Sequence, residues 1–274
     1  MSHRTVFFVS DQTGVTAETM GHSLLTQFGG VAFRQVTMPF ISTVEKAEEA
    51  VRRINDTGAT EGARPVVFST LVQEHLRDVV RKADALFLDF FDAFLRPLEV
   101  ELQTPSSRTE GKAHGMADLG AYALRIDATN FALANDDGGV AQDYDRADVV
   151  LVGVSRSGKT PTCLYMALQY GIFAANYPLA DDDFERRGLP DRLARYRRKL
   201  YGLTIAPDRL QQIRQERRPD SKYSSPAQVA FEVRSAEALF EQYGIPYINT
   251  TECSIEEIAS RIIERAQLER RLRP

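Results

Sequence analysis

Two hydrophobic periods alternate along the first hundred residues. Runs rich in β-branched and aromatic residues at 5–10, 33–38, 65–69 and 86–90 read as strands. A helix-spaced segment follows each, beginning near Thr16, Thr43, Leu71 and Asp92. Parallel strands need crossovers of about a dozen residues or more, and these segments are long enough to supply them. The pattern therefore predicts a doubly wound α/β domain, without revealing the order of its strands.

The periodicity lapses over 104–120, TPSSRTEGKAHGMADLG, where Pro105, Gly111 and Gly115 interrupt regular structure. A helical segment at 121–134 follows and stops at Asn135-Asp136-Asp137-Gly138. We read an N-terminal α/β domain over 1–120, a helical linker over 121–146 and a second α/β domain over 147–274. The second opens on an unbroken apolar strand at 147–152 and continues with a helix from about Lys159, strands at 172–178 and 200–205, a helix from Pro207 and a strand–helix pair from Ile245. The basic run at 195–199 reads as the solvated face of an amphipathic helix. No internal repeat, heptad run or low-complexity tract is visible.

Composition narrows the classes. With 43% hydrophobic residues over 274 positions the chain can bury substantial cores, which excludes a disordered protein. A net charge of -4 provides no global basic surface, so a nucleic acid is not an expected partner. Cys163 and Cys253 lie far apart and outside any CxxC or Cys/His cluster, which argues against a disulfide framework or structural zinc and points to a reducing cytoplasm. The N-terminal apolar run is too short for a signal sequence. No stretch approaches the roughly 20 apolar residues of a membrane span, so neither export nor a membrane partner is expected.

One motif carries chemistry. Gly153-Val154-Ser155-Arg156-Ser157-Gly158-Lys159-Thr160 fits G-x-x-x-x-G-K-[ST] without a mismatch, directly after the strand ADVVLVG and before the helix TPTCLYMALQYG. Glycines at 153 and 158 let successive backbone N–H groups curl around a phosphate at a helix N-terminus, where the partial positive charge favours an anion. Lys159 would neutralise phosphate oxygens and the Thr160 hydroxyl would ligate magnesium. Arg156 is a second cation that either reaches a phosphate or points to solvent. Pro161 suits a first helical turn, and Cys163 reads as packing. The second domain is thus expected to be a P-loop, kinase-like α/β domain.

Phosphoryl transfer also needs carboxylates. The candidates are Asp136 and Asp137, the run Asp181 to Asp183, and Asp11; Asp145 and Asp148 precede the strand and lie at its far end from the loop. The turn Ser10-Asp11-Gln12-Thr13-Gly14 ends the first strand, at the sheet edge where open α/β sheets bind ligands. Asp11 and Thr13 either hold a second substrate there or cap the next helix. His114, in the segment between the domains, is either a general base or phosphate ligand or, as a lone loop histidine more often is, neither.

Several phrases together resemble the phosphoenolpyruvate synthase regulatory proteins, relatives of the plant pyruvate, phosphate dikinase regulatory protein. They are SDQTGVTAE at 10–18, QF at 27–28, His114-Gly115, NDDG at 135–138, GVSRSGKTPT at 153–162, AANYPL at 174–179 and KLYGLTI at 199–205, in order over nearly the whole chain. The resemblance implies a bifunctional serine/threonine kinase and phosphorylase. One reaction is ADP-dependent phosphorylation of a threonine of phosphoenolpyruvate synthase (pyruvate, water dikinase), which inactivates it. The other is phosphate-dependent removal of that phosphoryl group, which releases pyrophosphate. The loop at 153–160 would bind ADP and later inorganic phosphate, with Lys159 and Asp136 or Asp137 catalytic, magnesium at Thr160, Asp11 and Thr13 on the protein substrate, and a homodimer as the assembly. Asn135 stands where the family pattern is expected to have a histidine before DDG, which puts a catalytic role at that position in doubt. The residues alone also admit a small-molecule kinase, which leaves the N-terminal domain unexplained, or a nucleotide-sensing switch with little turnover.

Overall fold

In a computed structural model of the chain, residues 3–109, 119–136, 143–185 and 188–272 are described. Two compact units are present, Met1–Ala117 and Asp118–Pro274.

The first unit alternates strand and helix: β1 (Arg4–Val9), α1 (Val15–Leu25), β2 (Phe33–Met38), α2 (Val44–Glu61), β3 (Val66–Ser69), α3 (Glu74–Val80), β4 (Leu86–Asp89) and α4 (Phe90–Glu101). Each of the four strands expected in this unit is present, with ends shifted by at most a residue. All pairings are parallel and the sheet order is β2-β1-β3-β4. The central strand β1 is buried from Thr5 to Val9, as a parallel strand covered on both faces must be, and this explains its unbroken apolar run. On one face Phe8, Phe68 and Phe90 stack at 5.8 and 5.2 Å between ring centres, with Ala17 and Leu25 of α1 beside them. On the other, Ala47, Ala50 and Ile54 of α2 pack with Leu76 and Val80 of α3.

The second unit contains α5 (Leu119–Ala134), β5 (Val149–Gly153), α6 (Lys159–Tyr170), β6 (Ala174–Pro178), α7 (Asp181–Glu185), α8 (Asp191–Ala194), β7 (Leu200–Thr204), α9 (Pro207–Arg217), α10 (Pro226–Tyr243), β8 (Tyr247–Asn249) and α11 (Ile255–Arg265). Its sheet is again parallel, in the order β6-β5-β7-β8. Both sheets therefore place their first strand inside, their second on one flank, and their third and fourth on the other. In such an order the crevice outside the carboxyl end of the first strand is the topological switch point. SDQTG follows β1 and GVSRSGKT follows β5, so each motif occupies that position in its own unit.

The segment read as a linker over 121–146 lies in the second unit, where Ala128, Phe131 and Ala132 of α5 belong to the core around β5. The basic run at 195–199 is not one helix. Buried Tyr196 separates α8 from a 3-10 turn at Arg197–Lys199 that leads straight into β7. The 18-residue helix α10 is absent from the sequence reading. Its buried stripe of Val229, Val233, Ala236 and Phe240 is broken by Glu232, also buried, and that charge obscures the apolar face. The cap is legible in retrospect, since Ser225 accepts from the Gln228 N–H and Pro226 opens the first turn. Among the described residues no helix is long and apolar enough to cross a membrane.

Gly21 on α1 lies against the phenyl stack, where an added Cβ would sit 2.4 Å from Phe8 Cε1 and 2.8 Å from Phe68 Cδ2. Gly21→Ala should destabilise the first unit by about 1–3 kcal/mol in urea unfolding, the overpacking outweighing the gain of about 1 kcal/mol in helix propensity. Gly29→Ala, with open space around it, serves as the control.

Candidate active site

The site is built on β5, every residue of which is buried between β6 and β7. The chain leaves the sheet at Gly153, and no other residue fits there. A Cβ would stand 2.3 Å from the Leu203 carbonyl oxygen of β7 and 3.0 Å from Ser157 Oγ. The loop returns through Gly158, which opens α6 with φ +95°, a left-handed conformation that side chains other than glycine's disfavour. Arg156 adopts φ 77° without being glycine, so this exposed loop position is strained.

Three residues outside the motif, Arg214, Tyr223 and Thr250, hold the loop in shape. The fully buried Arg214 of α9 donates from Nη2 to the Ser155 carbonyl at 3.1 Å and to Glu232 Oε2 at 2.6 Å, and from Nη1 to the Tyr223 carbonyl at 3.0 Å. Its guanidinium also lies 4.2 Å from the centre of the Tyr223 ring. Tyr223 returns to the loop through its hydroxyl, 3.0 Å from Ser155 Oγ. From the β8 side, Thr250 Oγ1 reaches the carbonyls of Ser157 and Thr204, both at 3.1 Å. These residues escaped the sequence reading because they lie tens of positions from the motif; Arg214 is embedded in the strongly polar PDRLQQIRQER, whose pattern does not mark a buried arginine.

Lys159 is 3% exposed, and its ammonium donates to the Val154 carbonyl at 2.8 Å, across the mouth of the loop. The adjacent Thr160 hydroxyl donates to Asp136 Oδ1 at 2.8 Å. Asn176 of β6 completes the cluster, donating from Nδ2 to the same Asp136 oxygen at 2.5 Å and to Thr160 Oγ1 at 3.1 Å. A carboxylate, a hydroxyl and an amide from three elements thus meet beside the N-terminus of α6. Asn176 lies in AANYPL, one of the phrases that carry the family likeness, and its place in the site is visible only in the fold.

Asp136 is positioned by its neighbour. Asn135, 2% exposed, donates to the Phe131 carbonyl, accepts from the Asp143 N–H, and offers its own carbonyl to the Asn176 N–H. These bonds pin the end of α5 to β6 and give Asn135 a positioning role. Asp137, the companion candidate, lies outside the described residues, as does His114. The other acidic candidates have different work. Asp183 accepts from the Tyr177 hydroxyl and the Ala180 N–H, Asp181 meets Gln228 and Lys222, and Asp145 and Asp148 pair with Arg195 and Arg271 at the far edge of the sheet. Cys163 is buried in the core, as its packing reading expects.

Asp11 and Thr13 belong to the first unit. Asp11 is 4% exposed and accepts from the Val72 N–H at 3.0 Å, tying the turn after β1 to the loop after β3, while Thr13 is exposed. The residue that opens α1 is Gly14, in the left-handed conformation at φ +85°.

These features define an α/β protein with a glycine-rich strand–loop–helix of the kind that cradles phosphate. The chain belongs to the kinase/pyrophosphorylase family, whose sequence model matches residues 6–263. It is 56% identical over 271 residues to a protein of Alkalilimnicola ehrlichii, covering 99% of this chain and 98% of the relative. It is 54% identical to one of Alcanivorax borkumensis (98% and 99% covered) and 53% identical to one of Stutzerimonas stutzeri (98% and 99%). All three carry the name "Putative phosphoenolpyruvate synthase regulatory protein". The likeness read from the sequence therefore holds over essentially the full length.

Gly153→Ala forces the Leu203 strand and the loop apart. We expect a loss of about 1–3 kcal/mol in urea unfolding. Gly158→Ala meets no atom within 4 Å, so its cost should be the backbone strain of about 1–2 kcal/mol alone.

Proposed function

We propose that this chain is a bifunctional kinase and phosphorylase acting on phosphoenolpyruvate synthase. In one direction ADP donates its terminal phosphoryl group to a threonine hydroxyl of the synthase, inactivating it; the bond from the transferred phosphorus to the bridging oxygen breaks and AMP leaves. In the other, inorganic phosphate attacks the phosphothreonine, the bond to the threonine oxygen breaks, and pyrophosphate departs from a restored hydroxyl. The observation that carries the reading is the convergence of Lys159, Thr160, Asp136 and Asn176 at the glycine-rich loop of a chain in this family. The relatives' names supply the protein substrate.

One anion pocket serves both directions. The loop amides from Val154 to Thr160 and the N-terminus of α6 would bind the diphosphate, and the Lys159 ammonium would leave the Val154 carbonyl for phosphate oxygens. Arg156, exposed on the loop, would meet the outer phosphate or the phosphothreonine. Thr160 and Asp136, hard oxygen donors 2.8 Å apart, fit magnesium and would hold it, where the ion would neutralise charge on the phosphates. Asp136 would also orient the attacking hydroxyl, its position set by Asn135 and Asn176. Catalysis on this scheme is positioning and charge neutralisation. The turn of Asp11 and Thr13 would receive the protein substrate, exposed Thr13 touching it and buried Asp11 holding the turn against the loop after β3.

Incubation of the protein with ADP labelled on its terminal phosphate and the synthase should label the synthase. Label in a soluble metabolite instead would favour a small-molecule kinase, and binding without transfer a nucleotide-sensing switch. Lys159→Ala should lower both reactions by on the order of 100-fold or more while the unfolding transition stays near that of the parent. Normal kinetics in either direction would eliminate the shared pocket. Asp11→Ala should impair transfer more than ADP affinity; an equal loss of nucleotide binding would assign Asp11 to the nucleotide instead.

A further inference from the structure

The second unit carries a second cationic concavity at the opposite edge of its sheet. The amino ends of β5, β7 and β8 bound a cleft of about 510 Å³, whose lining includes Asp148, Arg197, Arg198, Lys199, Gly244 and Arg265. The P-loop leaves the carboxyl end of β5, so the length of a five-residue strand, roughly 16 Å at about 3.3 Å per residue, separates the two places. Four cations face one carboxylate, and that carboxylate is already taken: Asp148 accepts from Arg271 Nη1 at 2.5 Å and Nη2 at 2.8 Å, and from the Phe173 N–H at 2.8 Å.

The four cations are not equally committed. Arg197 donates from Nε to the Tyr243 carbonyl, and Lys199 donates to the carbonyls of Tyr144 and Asp145. Those bonds orient their side chains without neutralising them. The side chains of Arg198 and Arg265, both exposed, make no hydrogen bond, ion pair or ring contact among the described residues. The C-terminal ends of α10 and α11 reach the same cleft and bring partial negative charge, roughly half a unit each, which four full positive charges exceed. Gly244 leaves space beside Arg197, whose Nη2 lies 3.7 Å from where a Cβ would be.

We propose that this cleft is a second anion site, separate from the P-loop, that takes a small, multiply charged anion of the organic-phosphate class. Its size lies within the roughly 300–1,000 Å³ of small-molecule sites. Guanidinium groups match phosphate oxygens two at a time, and two of them stand ready without a protein partner to give up. Of the basic run 195–199, the last three residues, Arg197, Arg198 and Lys199, line the cleft where the 3-10 turn leads into β7. Occupancy there would give the unit a means of sensing an anionic metabolite without competing for the catalytic loop.

The test is calorimetric titration of tripolyphosphate into the full chain carrying Lys159→Ala, so that the P-loop contributes little. We expect one site per chain, weakened at least tenfold by Arg198→Gln with Arg265→Gln, while the same pair placed in the parent chain leaves ADP affinity unchanged. Absence of binding, or an affinity indifferent to the double substitution, overturns the proposal. Tighter binding of a deca-glutamate peptide than of tripolyphosphate, with the same dependence on the two arginines, also overturns it, because the surface then receives an acidic protein segment.

Discussion

The shape of the glycine-rich loop rests on one close approach, that of the Gly153 backbone to the Leu203 carbonyl of the neighbouring strand. With 2.3 Å between that oxygen and a notional Cβ, the loop can leave β5 along this path only if position 153 lacks a side chain. Once the backbone is seated there, the remaining carbonyls need partners, since an unpaired buried backbone group costs about 1–3 kcal/mol. Arg214 takes that of Ser155 and Thr250 that of Ser157. Glu232 in turn offsets the charge of Arg214, which would otherwise be buried at high cost. The loop is thus held by α9, α10 and the end of β8 as much as by its own glycines.

That dependence explains why the second unit needs its whole length. A strand, a loop and a helix would suffice to display the motif, but the buried arginine, its carboxylate and the threonine come from the last quarter of the chain. The end of α5 supplies Asp136 from the opposite direction, anchored through Asn135 to β6. The site is assembled from segments more than a hundred residues apart, and a change in the packing of α5 or α10 would reach it without touching the motif.

The two sheets share a strand order, and each puts its polar turn at the carboxyl end of its innermost first strand. The turns differ in chemistry. The loop after β5 is cationic and open to an anion at α6, whereas the turn after β1 carries a buried carboxylate that holds the loop after β3. The family relationship extends across both units.

Local chemistry was legible in the sequence. The eight-residue motif, the strand before it and the helix after it are contiguous, so spacing and residue type determined them, and the burial of β1 and β5 followed from unbroken apolar runs. The α/β class followed from alternating periods. What only the tertiary structure decided was the set of residues gathered around the motif: Asn176 and Asp136 at Thr160, Arg214, Tyr223 and Thr250 behind the loop, and the arginines at the far edge of the sheet. It also decided the strand order, and it placed the helix at 119–134 in a core, though its position in sequence suggested a linker. The physical reason is that periodicity reports which face of an element is apolar, while a polar group's role depends on which distant partner satisfies it. A buried Glu232 therefore disguises a helix until the guanidinium opposite it is known.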